Sequence, residues 1–441
     1  MEAAQAIAKS DESSHPTHLP LRLIAAGTVG NIMEWYDFAV YGYLAATIGQ
    51  QFFPSENAAT SLIAAFGVFA AGFLMRPLGG VVFGHIGDHI GRKAALTISV
   101  LAMAIPTFLI GILPGYATLG PAAAVLLVIL RMVQGLSVGG EYTTSIVFLV
   151  EGAERKYQGF AGSWSGFGAV GGILLGSAVS ALVTLTFSPE AVHRWAWRLP
   201  FLVGLFVGLA GLYVRRHITE VPKPAGPTKG PSPVWEALRS EWRTILRIGL
   251  LNVINGVGFY IAFVFLVTYM QTISGLREAV ALEINTVNML VLLAMFPLAG
   301  WLSDHVGRKP LLIAGIGGLL VSAWPLFWML SHPAVSWNFV GQLGFAIFIG
   351  LYGGALPVTM VEATPRAVRC SAISIGYNLC VGLLGGISPL VATWLIQRTH
   401  DDLTPAYYVM GAALISLVAA VELPKTASAE GEATRLRPAR S

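Results

Sequence analysis

The decapeptide GHIGDHIGRK occupies Gly84–Lys93, and GWLSDHVGRK occupies Gly300–Lys309. Gly, Asp, His, Gly, Arg and Lys recur at the same offsets, 216 residues apart in a chain of 441. Each decapeptide follows one apolar segment and opens another. Further on, each half has an acid ending an apolar segment and a base four residues later: Glu151 with Arg155, and Glu362 with Arg366. Loop chemistry repeated at half the chain length predicts two similar halves, an arrangement that places a binding site at their interface.

Composition identifies the solvent. Of the residues 55% are hydrophobic and 11% charged, against about 25% charged in a soluble domain. Mean hydropathy is +0.69, and the 50 glycines suit helices packed in lipid. Twelve apolar segments approach the ~20 residues that a bilayer crossing requires. They run over 21–48, 60–84, 95–113, 121–150, 158–186 and 197–215, then 245–271, 279–302, 310–330, 336–361, 370–396 and 405–423. The resulting division is an N-terminal tail (1–20), a first bundle (21–216), a Pro-rich linker (217–243), a second bundle (244–423) and a C-terminal tail (424–441). The expected fold is all-α: twelve transmembrane helices in two pseudo-symmetric six-helix bundles.

Lys and Arg give the orientation. Of 27 in all, the loops and span ends on one side hold only Arg194, Arg198, Arg277 and Arg398, and Arg76 and Arg131 lie well inside spans. The remainder lie on the termini and the other loops. The positive-inside bias then places both termini and the linker in the cytoplasm; the inner membrane is the expected location. This asymmetry also accounts for a pI near 9.0 without a nucleic-acid partner. The N-terminus lacks a basic region followed by a short apolar one, so no cleavable signal is expected. Cys370 and Cys380 are too few for a disulfide framework, and His85, His89 and His305 have no metal-ligand company. No metal or cofactor is expected.

At these residues the chain resembles the major facilitator superfamily over essentially its whole length. The G-x-x-x-D-x-x-G-R-K motif stands at both of the superfamily's positions, and Arg131-x-x-Gln134-Gly135 matches a second motif. GNIMEWYDF in the first span, MRPLGG (75–80), RMVQGLSVGGEY (131–142), WAWRLPF (195–201) and TPAYYVM (404–410) resemble the metabolite:proton symporter branch. That branch carries citrate, 2-oxoglutarate, shikimate, and proline or betaine. The resemblance implies a central cavity between the first, fourth, seventh and tenth helices, with transport by alternating access.

GNIMEWYDF places Glu34 and Asp37 on one helical face inside an apolar run. An unpartnered Asp at a helix centre costs about 2.5–3.5 kcal/mol on the insertion scale, so each must be protonated, paired or open to water. On the superfamily pattern Arg131 is the nearest cation. Asp37 is favoured as proton carrier and Glu34 as partner of the positive charge, with Glu141 a third proton-coupling candidate. A permanently paired carboxylate that only ties helices together is the alternative for either. Substrate contacts are expected from Arg131, Trp35, Tyr36, Gln134, Asn252, Asn255, Tyr260 and Asn378. Arg76 and Arg198 are further cations available in one gate state.

Asp88, Arg92, Glu151 and Arg155, with Asp304, Arg308, Glu362 and Arg366, form the expected cytoplasmic gate. On the superfamily pattern the two aspartates bridge to the opposing bundle near helix N-termini, where negative charge is favoured. Gly166–Gly171 fits G-x-G-x-x-G but lies inside a span with no strand before it, so it is read as helix packing with Gly168, Gly172 and Gly176.

No nucleophile–base set or phosphate loop supports an enzyme. An exporter is disfavoured because Gly166 is followed by Phe167, where superfamily antiporters carry Gly-Pro. The expectation is a monomeric proton-coupled importer. One or two cations suit a small organic acid, placed ahead of a proline- or betaine-type zwitterion because the C-terminal tail lacks the heptads of osmosensing carriers.

Overall fold

The computed structural model describes residues 21–56, 58–216 and 233–423; the two tails and the linker as far as residue 232 lie outside them. Among the described residues twelve long helices follow one another. In the first half they are α1 (Leu21–Tyr43), α2 (Ala58–Leu74, resuming as Arg76–His89), α3 (Arg92–Ile112), α4 (Pro121–Glu151), α5 (Gln158–Thr186) and α6 (Leu199–Arg216). In the second they are α7 (Trp242–Tyr260, continuing through a π turn at Ile261–Phe265 to Leu266–Thr272), α8 (Glu278–Val306) and α9 (Arg308–Leu330). α10 (Val335–Glu362), α11 (Arg369–Cys380, a π turn at Val381–Gly385, then Gly386–Thr399) and α12 (Thr404–Val421) complete it. Among the described residues eleven of these are long and apolar enough to cross a membrane. α1 falls short because Asn31, Glu34 and Asp37 interrupt its middle.

Small residues set the packing within the first bundle. Gly168, Gly172 and Gly176 bring α5 against the backbone of α1 at Thr28, Ile32 and Tyr36, so the glycine-rich run is a packing stripe. α2 and α4 approach still more closely: a Cβ at Gly139 would stand 2.0 Å from the Arg76 carbonyl oxygen.

The linker is not wholly irregular. Pro233–Ser240 forms a short helix that packs on the end of α2 and the start of α11, burying Ala237 against Ile245, Val368 and Ala372.

The repeated decapeptides make equivalent turns. Gly91 and Gly307 hold φ of +137° and +94°, where a side chain would be strained, and each starts the next helix within one residue. The preceding aspartates then reach across the molecule. Asp88 accepts from the N–H groups of Cys370 (3.0 Å) and Ser371 (2.8 Å) in the first turn of α11. Asp304 accepts from those of Gly159 and Phe160, both at 2.8 Å, in the first turn of α5. Each thus satisfies donors that a helix start leaves free, beside the positive end of its dipole. The two halves cap one another by one rule.

Candidate functional site

Two buried ion pairs lie in the middle of the first bundle, and they differ in kind. Arg131 of α4 donates to Asp37 of α1 at 2.6 Å, with both side chains fully buried. Thr107 of α3 and Gln134 donate to the other Asp37 oxygen at 2.9 Å each, and Gln134 accepts from Arg131 at 2.9 Å. The guanidinium also lies 4.3 Å from the Tyr41 ring centre. Asp37 is fully satisfied.

Glu34, one turn away, is not. Its nearest cation is Arg76 of α2, 3.9 Å off, and both side chains are 1% exposed. Among the described residues neither Glu34 oxygen has a hydrogen-bond partner, nor does the Trp35 indole nitrogen, and the Arg76 guanidinium has the Tyr260 hydroxyl beside it. Native interiors leave few such groups, each costing about 1–3 kcal/mol. Several of them gather around the Glu34–Arg76 pair.

The walls there are aromatic. Arg76 lies 5.2 Å from the Phe73 ring centre and 5.8 Å from that of Trp35. Trp35 meets Phe259 of α7 edge-on at 6.2 Å, joining the bundles, and Phe259 packs on Tyr260 at 5.7 Å. Tyr142 of α4 stacks on Tyr377 of α11 at 5.0 Å, again across the bundles. Tyr260 and Tyr377 stand within electrostatic range of both Glu34 and Arg76.

Towards the basic end the bundles close. Thr143 and Ser374 hydroxyls meet at 2.5 Å, Asn378 donates to the Gly139 carbonyl at 2.5 Å, and Gly84 lies on the Ser371 backbone. Arg92 bonds Glu151 at 3.2 Å and lies 3.5 Å from Asp88. Glu151 also takes Arg369 from the opposite bundle at 2.7 Å. In the other half Arg308 joins Asp304 (2.8 Å) and Glu362 (3.1 Å), with no third cation among the described residues. The charged gate is asymmetric.

Several expected placements are corrected here. Arg131 meets Asp37 rather than Glu34, because Gln134 and Thr107 build a pocket around Asp37 one turn beyond it. Arg131 and Gln134 are engaged with Asp37; Nε and Nη2 of Arg131 have no hydrogen-bond partner among the described residues, and the guanidinium lies over the rings of Phe38, Tyr41 and Phe69. The Tyr36 hydroxyl donates to the Pro200 carbonyl at 2.7 Å inside the first bundle. Asn252 donates to its own helix at Ile248 and to the Met360 sulfur, and Asn255 donates to Asn252 at 3.3 Å; both tie the second bundle together. Asn378 lies on the closing surface. Of the expected substrate contacts, Trp35 and Tyr260 border the Glu34–Arg76 site. Glu141 accepts from the Ser99 hydroxyl of α3. Arg155 and Arg366 are exposed and do not pair with Glu151 or Glu362 four residues before them, since each acid ends a helix and each base begins a separate turn. The site draws on α1, α2, α4, α7 and α11 rather than the expected α1, α4, α7 and α10.

Sequence reasoning passed over Phe73, Tyr142, Phe259, Thr107 and Arg369. Tyr142 had a readable signal, its place directly after Glu141 in RMVQGLSVGGEY; Arg369, at the start of an apolar span, had none.

A site at the interface of two six-helix halves, closed at one end by reciprocal bonds between them, defines a multi-pass membrane transporter. The Major Facilitator Superfamily family model matches residues 27–389 and, in a second match, 248–439, and the chain belongs to that superfamily. It is 34% identical over 420 residues to the proline/betaine transporter of Salmonella typhimurium, covering 92% of this chain and 84% of that one. Identity and coverage are the same for the glycine betaine/proline/ectoine/pipecolic acid transporter OusA of Dickeya dadantii. Among solved structures it matches the proton:xylose symporter XylE bound to 6-bromo-6-deoxy-D-glucose, with TM-score 0.74, 17% identity and coverage of 91% and 94% of the two chains. Against the inward open conformation of XylE from E. coli the TM-score is 0.62, at 18% identity and coverage of 93% and 97%.

Proposed function

We propose that the protein is a proton-coupled importer of a small zwitterion of the proline or betaine type, set in the inner membrane with its basic end in the cytoplasm. The observation that carries this reading is the unsatisfied Glu34–Arg76 pair inside an aromatic enclosure. The site offers one positive and one negative group, because the charge of Arg131 is already taken up by Asp37. A carboxylate fits Arg76, and a quaternary or secondary ammonium fits the faces of Trp35, Phe259 and Tyr260.

Coupling follows from the same pair. Ionised Glu34 neutralises Arg76; protonated Glu34 leaves the guanidinium free to take the substrate carboxylate. Proton and zwitterion therefore bind together and leave together, which is symport. The roles expected for the two acids are exchanged: Glu34 carries the proton and Asp37 anchors Arg131. The relatives' names agree with a zwitterion, which is placed ahead of the organic acid favoured on the sequence. A carboxylate without a cation would leave the aromatic walls unused. The basic end is closed and the Glu34–Arg76 pair is buried.

The test is uptake into proteoliposomes under an inside-alkaline pH gradient, comparing labelled proline, glycine betaine and 2-oxoglutarate. Accumulation of a zwitterion, with affinity lowered about tenfold or more in Arg76→Gln, supports the reading. Accumulation of 2-oxoglutarate alone contradicts it.

A further inference from the structure

The substrate path runs between the bundles, yet the polar groups that continue from Glu34 lie inside the first bundle. α1 and α4 are antiparallel, and two contacts fix their register: Asn31 with Ser145 at 2.9 Å and Asp37 with Gln134 at 2.9 Å. Glu34 is midway between Asn31 and Asp37, and Glu141 lies between Ser145 and Gln134. The two carboxyl groups therefore stand at one level, within electrostatic range of each other. On its far side Glu141 takes the hydroxyl hydrogen bond of Ser99, and Ser137 donates to the Ser99 carbonyl at 2.6 Å.

From that level polar atoms descend towards the basic end. Asn31 donates to Ser145 and to the Ser165 carbonyl. Its amide oxygen and the hydroxyls of Thr28 and Thr144 are buried and have no hydrogen-bond partner among the described residues. Beyond them the apolar cluster of Leu23, Leu96, Phe148 and Leu149 separates this level from the Arg92–Glu151 pair at the basic end.

We infer that Glu141 is a proton relay, taking the proton from Glu34 into the interior of the first bundle and towards the cytoplasm while the substrate path between the bundles stays separate. The inference rests on Glu34 as carrier. The Glu34 acid gives its proton to the Glu141 carboxylate and becomes a carboxylate that re-engages Arg76. Glu141, now neutral, holds the proton beside Ser99 until the basic end opens and water reaches it. The charged and titratable groups facing this step are Arg76 on α2, Tyr142 on α4, Tyr260 on α7 and Tyr377 on α11. The Asp37–Arg131 pair lies one turn outward, and Arg92 and Glu151 lie at the far end. α5 contributes no charged residue over Gln158–Thr186. Freed of its proton on the basic side, Glu34 recaptures Arg76 and expels the substrate carboxylate, so release is driven and not only permitted.

The test compares Glu141→Gln, Glu141→Asp and Glu34→Gln in proteoliposomes by counterflow, by uptake against a substrate gradient, and by proton movement with a pH-sensitive dye. For Glu141→Gln the ratio of uphill uptake to counterflow falls about tenfold or more, while substrate affinity keeps its pH dependence. Glu141→Asp restores part of the ratio, and Glu34→Gln loses the pH dependence itself. An unchanged ratio in Glu141→Gln overturns the relay, as does equal loss of counterflow and uphill uptake in both Glu141 variants. Retained pH dependence in Glu34→Gln instead overturns the assignment of the carrier.

Discussion

The Arg131 guanidinium bonds the Asp37 carboxylate at 2.6 Å, with both side chains fully buried. Glu34 and Arg76, one turn away and equally buried, stay 3.9 Å apart. On the proposed function the first pair is a strut and the second is the site. Removing one partner of a buried pair costs about 3–5 kcal/mol, whereas replacing both by apolar groups costs little. Arg131→Met and Asp37→Leu should each lower the thermal midpoint in detergent by several degrees, and the double variant should recover most of that loss. A double variant worse than both singles would show that the pair does more than join helices.

Neutralising Asp88 should open the basic end. An amide oxygen accepts more weakly than a carboxylate and lacks its charge, so Asp88→Asn loosens the first turn of α11. Cys370, fully buried against Gly87, reports this directly. In a Cys380→Ser background, alkylation of Cys370 should quicken several-fold in Asp88→Asn. Unchanged labelling would reduce Asp88 to a residue of the loop alone.

The asymmetry of the charged gate gives a paired expectation. Glu151 binds Arg369 across the bundles at 2.7 Å, while Glu362 binds Arg308 of its own bundle at 3.1 Å. Glu151→Gln should therefore hasten Cys370 labelling and Glu362→Gln should leave it near the wild-type rate. Equal effects would mean that the ion pairs act through local folding.

Two glycine substitutions separate closing from folding. A Cβ at Gly84 would lie 2.8 Å from the Ser371 Cα of the other bundle. Gly84→Ala should express normally, label faster at Cys370 and transport poorly. At Gly139 the conflict lies within one bundle, 2.0 Å from the Arg76 carbonyl, so Gly139→Ala should fail in folding, seen as loss of monodisperse protein by size-exclusion chromatography.

Much of the fold was legible because it depends on composition and repetition. The apolar segments bound the helices to within a few residues, and α5 begins and ends where the sequence places it, at 158 and 186. The capping role of Asp88 and Asp304 was implied by the superfamily pattern that their repeated motif resembles. Partner choice was not legible. Whether Arg131 faces Glu34 or Asp37 depends on the register of α1 against α4, which Thr107 and Gln134 fix from neighbouring helices. Arg76 was undervalued for a related reason. The sequence places it inside the second span but does not show that α2 restarts there, with Met75 as the residue between its two segments. Spacing also misled at Arg155, since four residues share a face only while the helix continues, and α4 stops at Glu151.

Proton coupling through Glu34 is the central claim, and dye-reported proton movement tests it most directly. In proteoliposomes without a preset gradient, adding the transported zwitterion outside should turn the external medium alkaline in the wild-type protein. Glu34→Gln should still exchange labelled for unlabelled substrate while moving no protons. Proton movement at the wild-type rate in Glu34→Gln would contradict the account.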